Sequence, residues 1–313
     1  MADMNVYDAA IIGGSYAGLS AALALGRSLR KVVVIDDGQP CNRQTPRSHN
    51  LILHDGDHPA DMLQKALQQV LAYETVSFIN ARAEDATFRN GLFRIRAGQD
   101  VLLEAKKIIL ATGLRDQMPS IPGFEACWGI SVLHCPYCHG YEVKGKKIGV
   151  MANGNMAIEM TKLIRNWSRD LVLFTNGPSA LDKADGEKLA SLGIPVIEAA
   201  ISSISHNDGR LNELVMADGS RFAADALFAR PAFTQQTGLA RQLGCEFTDT
   251  GLIKVNEEQK TSCEGVFAAG DNASLYRAVS VAIASGTKAA AFLNKDMIDQ
   301  EWMCAEPGVN TAC

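Results

Sequence analysis

Val6-Tyr7-Asp8-Ala9-Ala10-Ile11-Ile12-Gly13-Gly14-Ser15-Tyr16-Ala17-Gly18 is the stretch that decides how this chain folds. Its first seven residues are mostly apolar, the pattern of a parallel strand covered on both faces. A glycine-rich turn follows, and then an Ala/Leu-rich run that reads as a helix to about residue 29. The G-x-G-x-x-G template wants glycine where Ser15 stands, so the turn alone is a weak signal. Its context strengthens it. Lys31-Val32-Val33-Val34-Ile35-Asp36 is a second buried strand, ending in a carboxylate at the place where a dinucleotide's ribose hydroxyls are held. The unit is a βαβ dinucleotide-binding turn, with Gly13, Gly14, Ser15, Tyr16, Ala17, Gly18 and Asp36 as candidate ligands.

Further along, residues 60–71 carry one apolar face (Met62, Leu63, Ala66, Leu67, Val70, Leu71) and read as a helix. Residues 83–105 alternate like antiparallel strands, and residues 107–111 are again a buried strand. That strand ends in Ala111-Thr112-Gly113, a small-residue turn that lets backbone lie close to a flat cofactor. Pro119-Ser120-Ile121-Pro122-Gly123 then reads as a stiff connector between domains. A second βαβ unit begins at Ile148-Gly149-Val150-Met151, turns at Ala152-Asn153-Gly154, and continues as a helix to about residue 167 and a strand at Leu171-Val172-Leu173-Phe174. Near the end, Gly265-Val266-Phe267-Ala268-Ala269-Gly270-Asp271 is a strand closing on a carboxylate, and a helix is expected over residues 278–294.

Between the two βαβ units stands Leu133-His134-Cys135-Pro136-Tyr137-Cys138-His139-Gly140. Two cysteines two residues apart can be a redox dithiol or half of a metal site. Tetrahedral zinc needs two further ligands at similar spacing, and Cys41, Cys127, Cys245, Cys263, Cys304 and Cys313 form no second CxxC, so zinc is the weaker reading. In a dithiol, one thiolate attacks a disulfide and the other resolves the mixed disulfide, which a two-residue spacer on one helical turn permits. Pro136 suits a first helical turn, whose N-terminus favours the thiolate. His54-Asp55-Gly56-Asp57-His58 lies on an irregular loop and reads as solvated rather than metal-binding; no metal is expected.

The 313 residues, 47% hydrophobic, can fill two domain cores. A net charge of −5 without a basic patch points away from nucleic acid, and no apolar run reaches membrane-spanning length. A cytoplasmic protein is expected. Its cysteines should there be mostly reduced, with Cys135 and Cys138 cycling. Cys127 and Cys245 read as core thiols, and Cys304 and Cys313 lie on a polar tail from which Cys313 could serve as a relay thiol.

In this order, Gly13 to Gly18, Asp36, Ala111-Thr112-Gly113 with its proline-rich tail, Cys135-x-x-Cys138 and Gly270-Asp271 resemble the low-molecular-weight thioredoxin reductase family over nearly the whole chain. The resemblance implies an α/β protein with two Rossmann-like, three-layer ββα dinucleotide-binding domains, the second inserted in the first. Residues 1–117 and 247–313 would bind FAD, and residues 118–246 would form an NAD(P)-binding-like domain carrying the dithiol. It also implies a homodimer, and a cofactor site that adds Asp37, Asn42, Gln44, Asn50, Ala111, Thr112, Gly113, Gly270, Asp271, Arg277, Ala278 and Val279. By the same resemblance Cys138 faces the flavin and makes the charge-transfer contact, while Cys135 exchanges with substrate.

Three departures from the family bear on direction. His139 replaces the usual Asp after CxxC, and a histidine, whose ordinary pKa is about 6.5, is better poised to take a proton from a dithiol at neutral pH. Ala152 stands where the second turn's first glycine belongs. Thr175-Asn176-Gly177 stands where the family places a His-Arg-Arg grip on the 2′-phosphate of NADPH, and no acidic residue is there to select NAD. NADP(H) is therefore a possible but poorly supported cofactor. Cys-Pro-Tyr-Cys-His-Gly with this eroded site resembles the dithiol oxidases of disulfide-containing natural products, which pass electrons through FAD to oxygen. Two activities stay open: a reductase acting on a protein disulfide of thioredoxin type, and an oxidase acting on a small-molecule or protein dithiol. A non-catalytic FAD-binding module is disfavoured because both cysteines are present.

Overall fold

The computed structural model describes residues 6–99 and 101–304; Cys313 and the tail from residue 305 lie outside the described residues. The chain forms two compact units. One comprises residues up to Cys41, Ala60–Arg115 and the chain from Thr234 onward, and the other comprises Asn42–Pro59 and Asp116–Phe233. The divisions differ from 117 and 247 for a packing reason: Leu239, Ala240 and Cys245 sit in the first unit's core beside Ile95 and Ile108. The 42–59 segment lies between first-unit elements in sequence, yet its Thr45 and His49 rest against Gly129 and Glu142 of the second unit.

The first unit is built on a seven-stranded sheet. Val76–Asn80, Val32–Asp36, Val6–Ile12 and Val101–Leu110 pair in parallel. The long Val101–Leu110 strand then divides its other edge. Residues 101–105 pair antiparallel with Leu92–Ala97, and residues 108–110 pair parallel with Val266–Ala268. Successive residues face opposite sides of a sheet, and both sides are covered here. Ala9 and Ile11 enter a core shared with the Tyr16–Arg27 helix and the last helix, while Ala10 and Ile12 enter one shared with Phe93 and Ile95. That two-sided burial is why Val6–Ile12 reads as a continuous apolar run. The last helix, Val279–Cys304, continues past residue 294. Leu293 and Met297 extend its buried face, and Arg30 bonds Asn294 and Glu301 across to it.

The second unit repeats the plan on a smaller scale. Val196–Ile197, Leu171–Phe174, Ile148–Met151, Ala226–Ala229 and Val132–Leu133 form an all-parallel five-stranded sheet. Val172 and Phe174 face one core and Leu171 and Leu173 the other. A three-stranded antiparallel meander, Ile201–Asn207, Arg210–Met216 and Arg221–Ala223, packs over the first of these cores. Among the described residues no helix is long and apolar enough to cross a membrane.

Candidate active site

At the end of Val6–Ile12 the chain must turn sharply and bring the next helix against the strand. Gly13 has φ +108°, and a Cβ there would lie 2.2 Å from the Ala111 carbonyl oxygen. A Cβ on Gly18 would lie 1.8 Å from the Gly13 carbonyl oxygen, so the helix start and the turn touch backbone to backbone. Ser15 is the N-cap of Tyr16–Arg27, but its side chain makes no capping hydrogen bond and leaves the helix start uncovered by its own cap. The helix N-terminus carries partial positive charge suited to a phosphate. Asp36 closes the turn from the neighbouring strand: Oδ2 accepts from the Gly14 N–H at 2.6 Å and Oδ1 from the Gly38 N–H at 2.8 Å. Each carboxylate oxygen keeps a further lone pair for a ribose hydroxyl.

A cleft opens beside this turn, lined by Gly13, Asp36, Asp37, Arg82 and Thr112 among others. Arg82 pairs with Asp37 at 3.3 Å and donates to the Gln236 carbonyl at 3.2 Å. Nothing in the local sequence marks Arg82, since it precedes an ordinary strand. At the other strand end, the Gly270 N–H donates to Ser285 Oγ at 3.0 Å, and Arg277 Nε donates to Asp271 Oδ2 at 3.3 Å. Asn272 is fully buried; its amide donates to the Leu110 carbonyl at 2.8 Å and to Thr112 Oγ1 at 3.3 Å. Its Oδ1 is buried with no hydrogen-bond partner among the described residues. A helix start without a side-chain cap from Ser15, a carboxylate set in the turn, a cleft and an orphaned buried acceptor are a donor and acceptor set that fits FAD. Residues 13–18, Asp36, Asp37, 111–113, Gly270, Asp271, Arg277, Ala278 and Val279 all lie in the first unit, whereas Asn42, Gln44 and Asn50 lie on the 42–59 segment of the second.

In the second unit, Cys135 and Cys138 form a disulfide. Cys135 is the N-cap of Pro136–His139, with Pro136 at the first helical position as its fixed φ favours. This helix is a single turn, so the expected help from a helix dipole is small. What reaches the Cys135 sulfur instead is one amide, the Cys138 N–H at 3.2 Å. The turn is braced from below, because a Cβ on Gly140 would lie 2.8 Å from the Trp167 ring, and that ring meets Tyr137 edge-on at 5.6 Å. His139 follows Cys138 and is partly buried. Loss of solvation holds it below its ordinary pKa, the Glu142 carboxylate works against this, and His49 adds to it. Burial therefore favours the neutral, proton-accepting form of His139. His49 and Glu142 carried no signal as a pair, because they are far apart in sequence.

The second dinucleotide turn is arranged differently. Asn153 caps Gly154–Ile164 with its own side chain, accepting from the N–H groups of Gly154 and Ala180, each at 2.8 Å, and donating to the Pro178 carbonyl at 2.9 Å. At the end of Leu171–Phe174, Thr175 Oγ1 donates to the Gly177 carbonyl at 2.7 Å and Asn176 Oδ1 accepts from the Ile201 N–H at 2.8 Å. These groups are satisfied within the fold, and no cation stands at residues 175–177 to hold a 2′-phosphate. The turn does not fit NADPH in the way the first turn fits FAD.

Comparison with known proteins adds the lineage. Residues 7–286 match the family model described as pyridine nucleotide-disulphide oxidoreductase. The chain belongs to that family. Among curated relatives of this oxidoreductase is a thioredoxin reductase, tcpT, of Claviceps purpurea, 32% identical over 95% of this chain and 96% of the relative. Among solved structures, HlmI is 34% identical with a TM-score of 0.90, covering 96% of this chain and 95% of that one. An oxidoreductase from Agrobacterium tumefaciens is 34% identical with a TM-score of 0.88, covering 94% and 99% respectively. This family member is an FAD-dependent disulfide oxidoreductase of thioredoxin reductase type. Among the described residues, no cluster of His, Cys, Asp or Glu is disposed to hold a metal ion.

Proposed function

We propose that Cys135 and Cys138 are the redox-active pair and exchange two electrons between FAD and a dithiol or disulfide substrate. The observation that carries this is the Cys135–Cys138 disulfide next to a partly buried His139, whose protonated form is disfavoured by loss of solvation. Bound FAD supplies a two-electron acceptor and donor. Gly13 to Gly18 would take its pyrophosphate, Asp36 the adenosine ribose, and Asp271 with Arg277 the ribityl side. Cys135 exchanges with substrate and Cys138 with the flavin. His139 takes the proton of the incoming thiol and returns one to the thiolate that leaves. As Cys135–Cys138 is reduced, two S–H bonds of the substrate and one S–S bond of the enzyme become one S–S bond of the substrate and two S–H bonds of the enzyme.

A specific observation favours the direction from dithiol to flavin. The second turn, whose amides would otherwise meet a nicotinamide dinucleotide, is filled by Asn153. Electrons would then enter from a small-molecule or protein dithiol and leave to oxygen as hydrogen peroxide. The reductase reading takes a thioredoxin-like protein disulfide as partner from the relatives named thioredoxin reductase, and a pyridine nucleotide such as NADPH as donor from the family match. A cytoplasmic homodimer is part of the same proposal.

An anaerobic flavin titration separates the two. If NADPH and NADH leave the yellow absorbance intact, a dithiol bleaches it, and air restores it with peroxide, the oxidase direction holds. Stoichiometric bleaching by NADPH overturns that direction. Bleaching by a dithiol that persists unchanged in Cys138→Ser overturns the assignment of the pair.

A further inference from the structure

The 42–59 segment raises a question that the dithiol alone does not answer. It departs from the first unit in sequence, closes on itself, and presents a histidine to the dithiol turn. Its closure is defined: the Ser48 N–H donates to the Asp57 carbonyl, the Gly56 N–H to the Ser48 carbonyl, and the Asn50 N–H to Asp55 Oδ1, each at 2.8 Å. These bonds hold His49 and Asp55 on one loop. From there His49 reaches out with both ring nitrogens. Nδ1 lies 3.5 Å from Asp55 Oδ1 and Nε2 lies 3.5 Å from Glu142 Oε1. Its ring stands edge-on to His139, with centroids 6.5 Å apart and planes at 89°.

Exposure rises in steps along this row. The His49 side chain is 21% exposed, Glu142 40% and Asp55 68%. A base that takes a thiol proton in a partly buried site must be emptied before the next turnover, and this row leads from His139 outward to water. We propose that His49 is a positioning residue that, together with Glu142, orients His139 and relays its proton to the solvent side of the 42–59 loop. The relay neither makes nor breaks a bond to sulfur. It carries one proton from the imidazolium of His139 outward along this row to water, leaving His139 neutral. The inference rests on the reading of Cys135 and Cys138 as the exchanging pair.

The titratable groups acting on His139 are Glu142, which favours its protonated form, and His49, which opposes it. The two therefore have opposite signatures. In His49→Gln, the imidazole that opposes protonation of His139 is gone and Glu142 acts on it alone, so His139 titrates higher. In Glu142→Gln, the supporting carboxylate is gone and His139 titrates lower.

The test uses the FAD-loaded protein and two readouts. The first is the titration midpoint of His139 by NMR in the oxidised protein, where only six histidines need assignment. The second is the rate of Cys135 alkylation after reduction, measured from pH 5 to pH 8. We expect midpoints displaced upward in His49→Gln and downward in Glu142→Gln, with a proton-limited exchange rate several-fold lower in both. Midpoints unchanged in both variants, or displaced in the same direction, overturn the proposal. If His49→Gln does not fold, the downward displacement in Glu142→Gln, an isosteric change at a half-exposed site, still decides. A wild-type pair that cannot be reduced and alkylated at all would instead overturn the exchange reading on which the relay depends.

Discussion

The two dinucleotide turns of this chain, Ile12-Gly13-Gly14-Ser15 and Met151-Ala152-Asn153-Gly154, start from the same plan and end in opposite states. Each follows a buried parallel strand and opens a helix. In the first, the N-cap side chain makes no capping bond and the strand-end carboxylate of Asp36 is set into the turn. In the second, the Asn153 side chain binds two amides and a carbonyl of its own unit, and the strand-end polar groups are tied to backbone. A helix N-terminus is satisfied by a cap, by water or by a ligand. The first turn is left for a ligand, whereas the second has supplied its own. The lesson is that the same Rossmann-like frame is built with an N-cap side chain that makes no capping bond in one unit and with one that caps fully in the other.

The largest effect that would break this comparison is steric. Gly18→Val drives side-chain carbon into the Gly13 carbonyl, and we expect protein purified without yellow colour and with a markedly lower melting temperature. A substitution at the glycine of the second turn, Gly154→Ala, meets nothing nearer than 3.9 Å and has only its φ of +58° to oppose it. We expect a stability loss of about 1–2 kcal/mol with full flavin content. Equal loss of colour in both variants would show that the turns are not functionally distinct.

A middle-sized effect concerns the polar groups. Asp36→Ala removes the acceptor of two amides and the ribose partner together, and FAD affinity should fall about tenfold to a hundredfold, read by flavin release on dilution. Asn153→Ala removes only a cap, costing about 1 kcal/mol in denaturant unfolding, with flavin binding unchanged. NADPH should still fail to bleach that variant, since residues 175–177 offer no cation. Bleaching would sharpen the comparison by showing that Asn153 alone closes the second turn.

The smallest effect is a pH handle on the first unit. Cys245 is buried there, and desolvation pushes its thiol from an ordinary 9.0 up to about 11. The fold favours the protonated thiol, so the unfolded chain releases its proton first. Stability from this group is intact below pH 9 and falls as pH rises from 9 toward 11. Cys245→Ala should flatten the urea-midpoint profile over that range, with the rest of the profile unchanged.

Much of this was legible in the residues alone. Runs such as Val6–Ile12 and Leu171–Phe174 are apolar because both sheet faces are covered, and that burial is written into each strand by its own composition. The glycine turn, Asp36 and the Cys-x-x-Cys spacing likewise declare themselves, since their chemistry depends on neighbours a few residues away. Packing between distant segments decided the rest. It placed 42–59 with the dithiol unit and brought His49 to His139 and Glu142. It carried the last helix past residue 294 along a buried face, and reduced the dithiol helix to one turn. It also determined that Ser15 leaves its helix start uncovered while Asn153 binds Ala180. Periodicity and propensity report what a residue does to its own backbone. They say nothing about which side chain from far along the chain will arrive beside it, and in this protein those arrivals decide which turn is open and which histidine is backed.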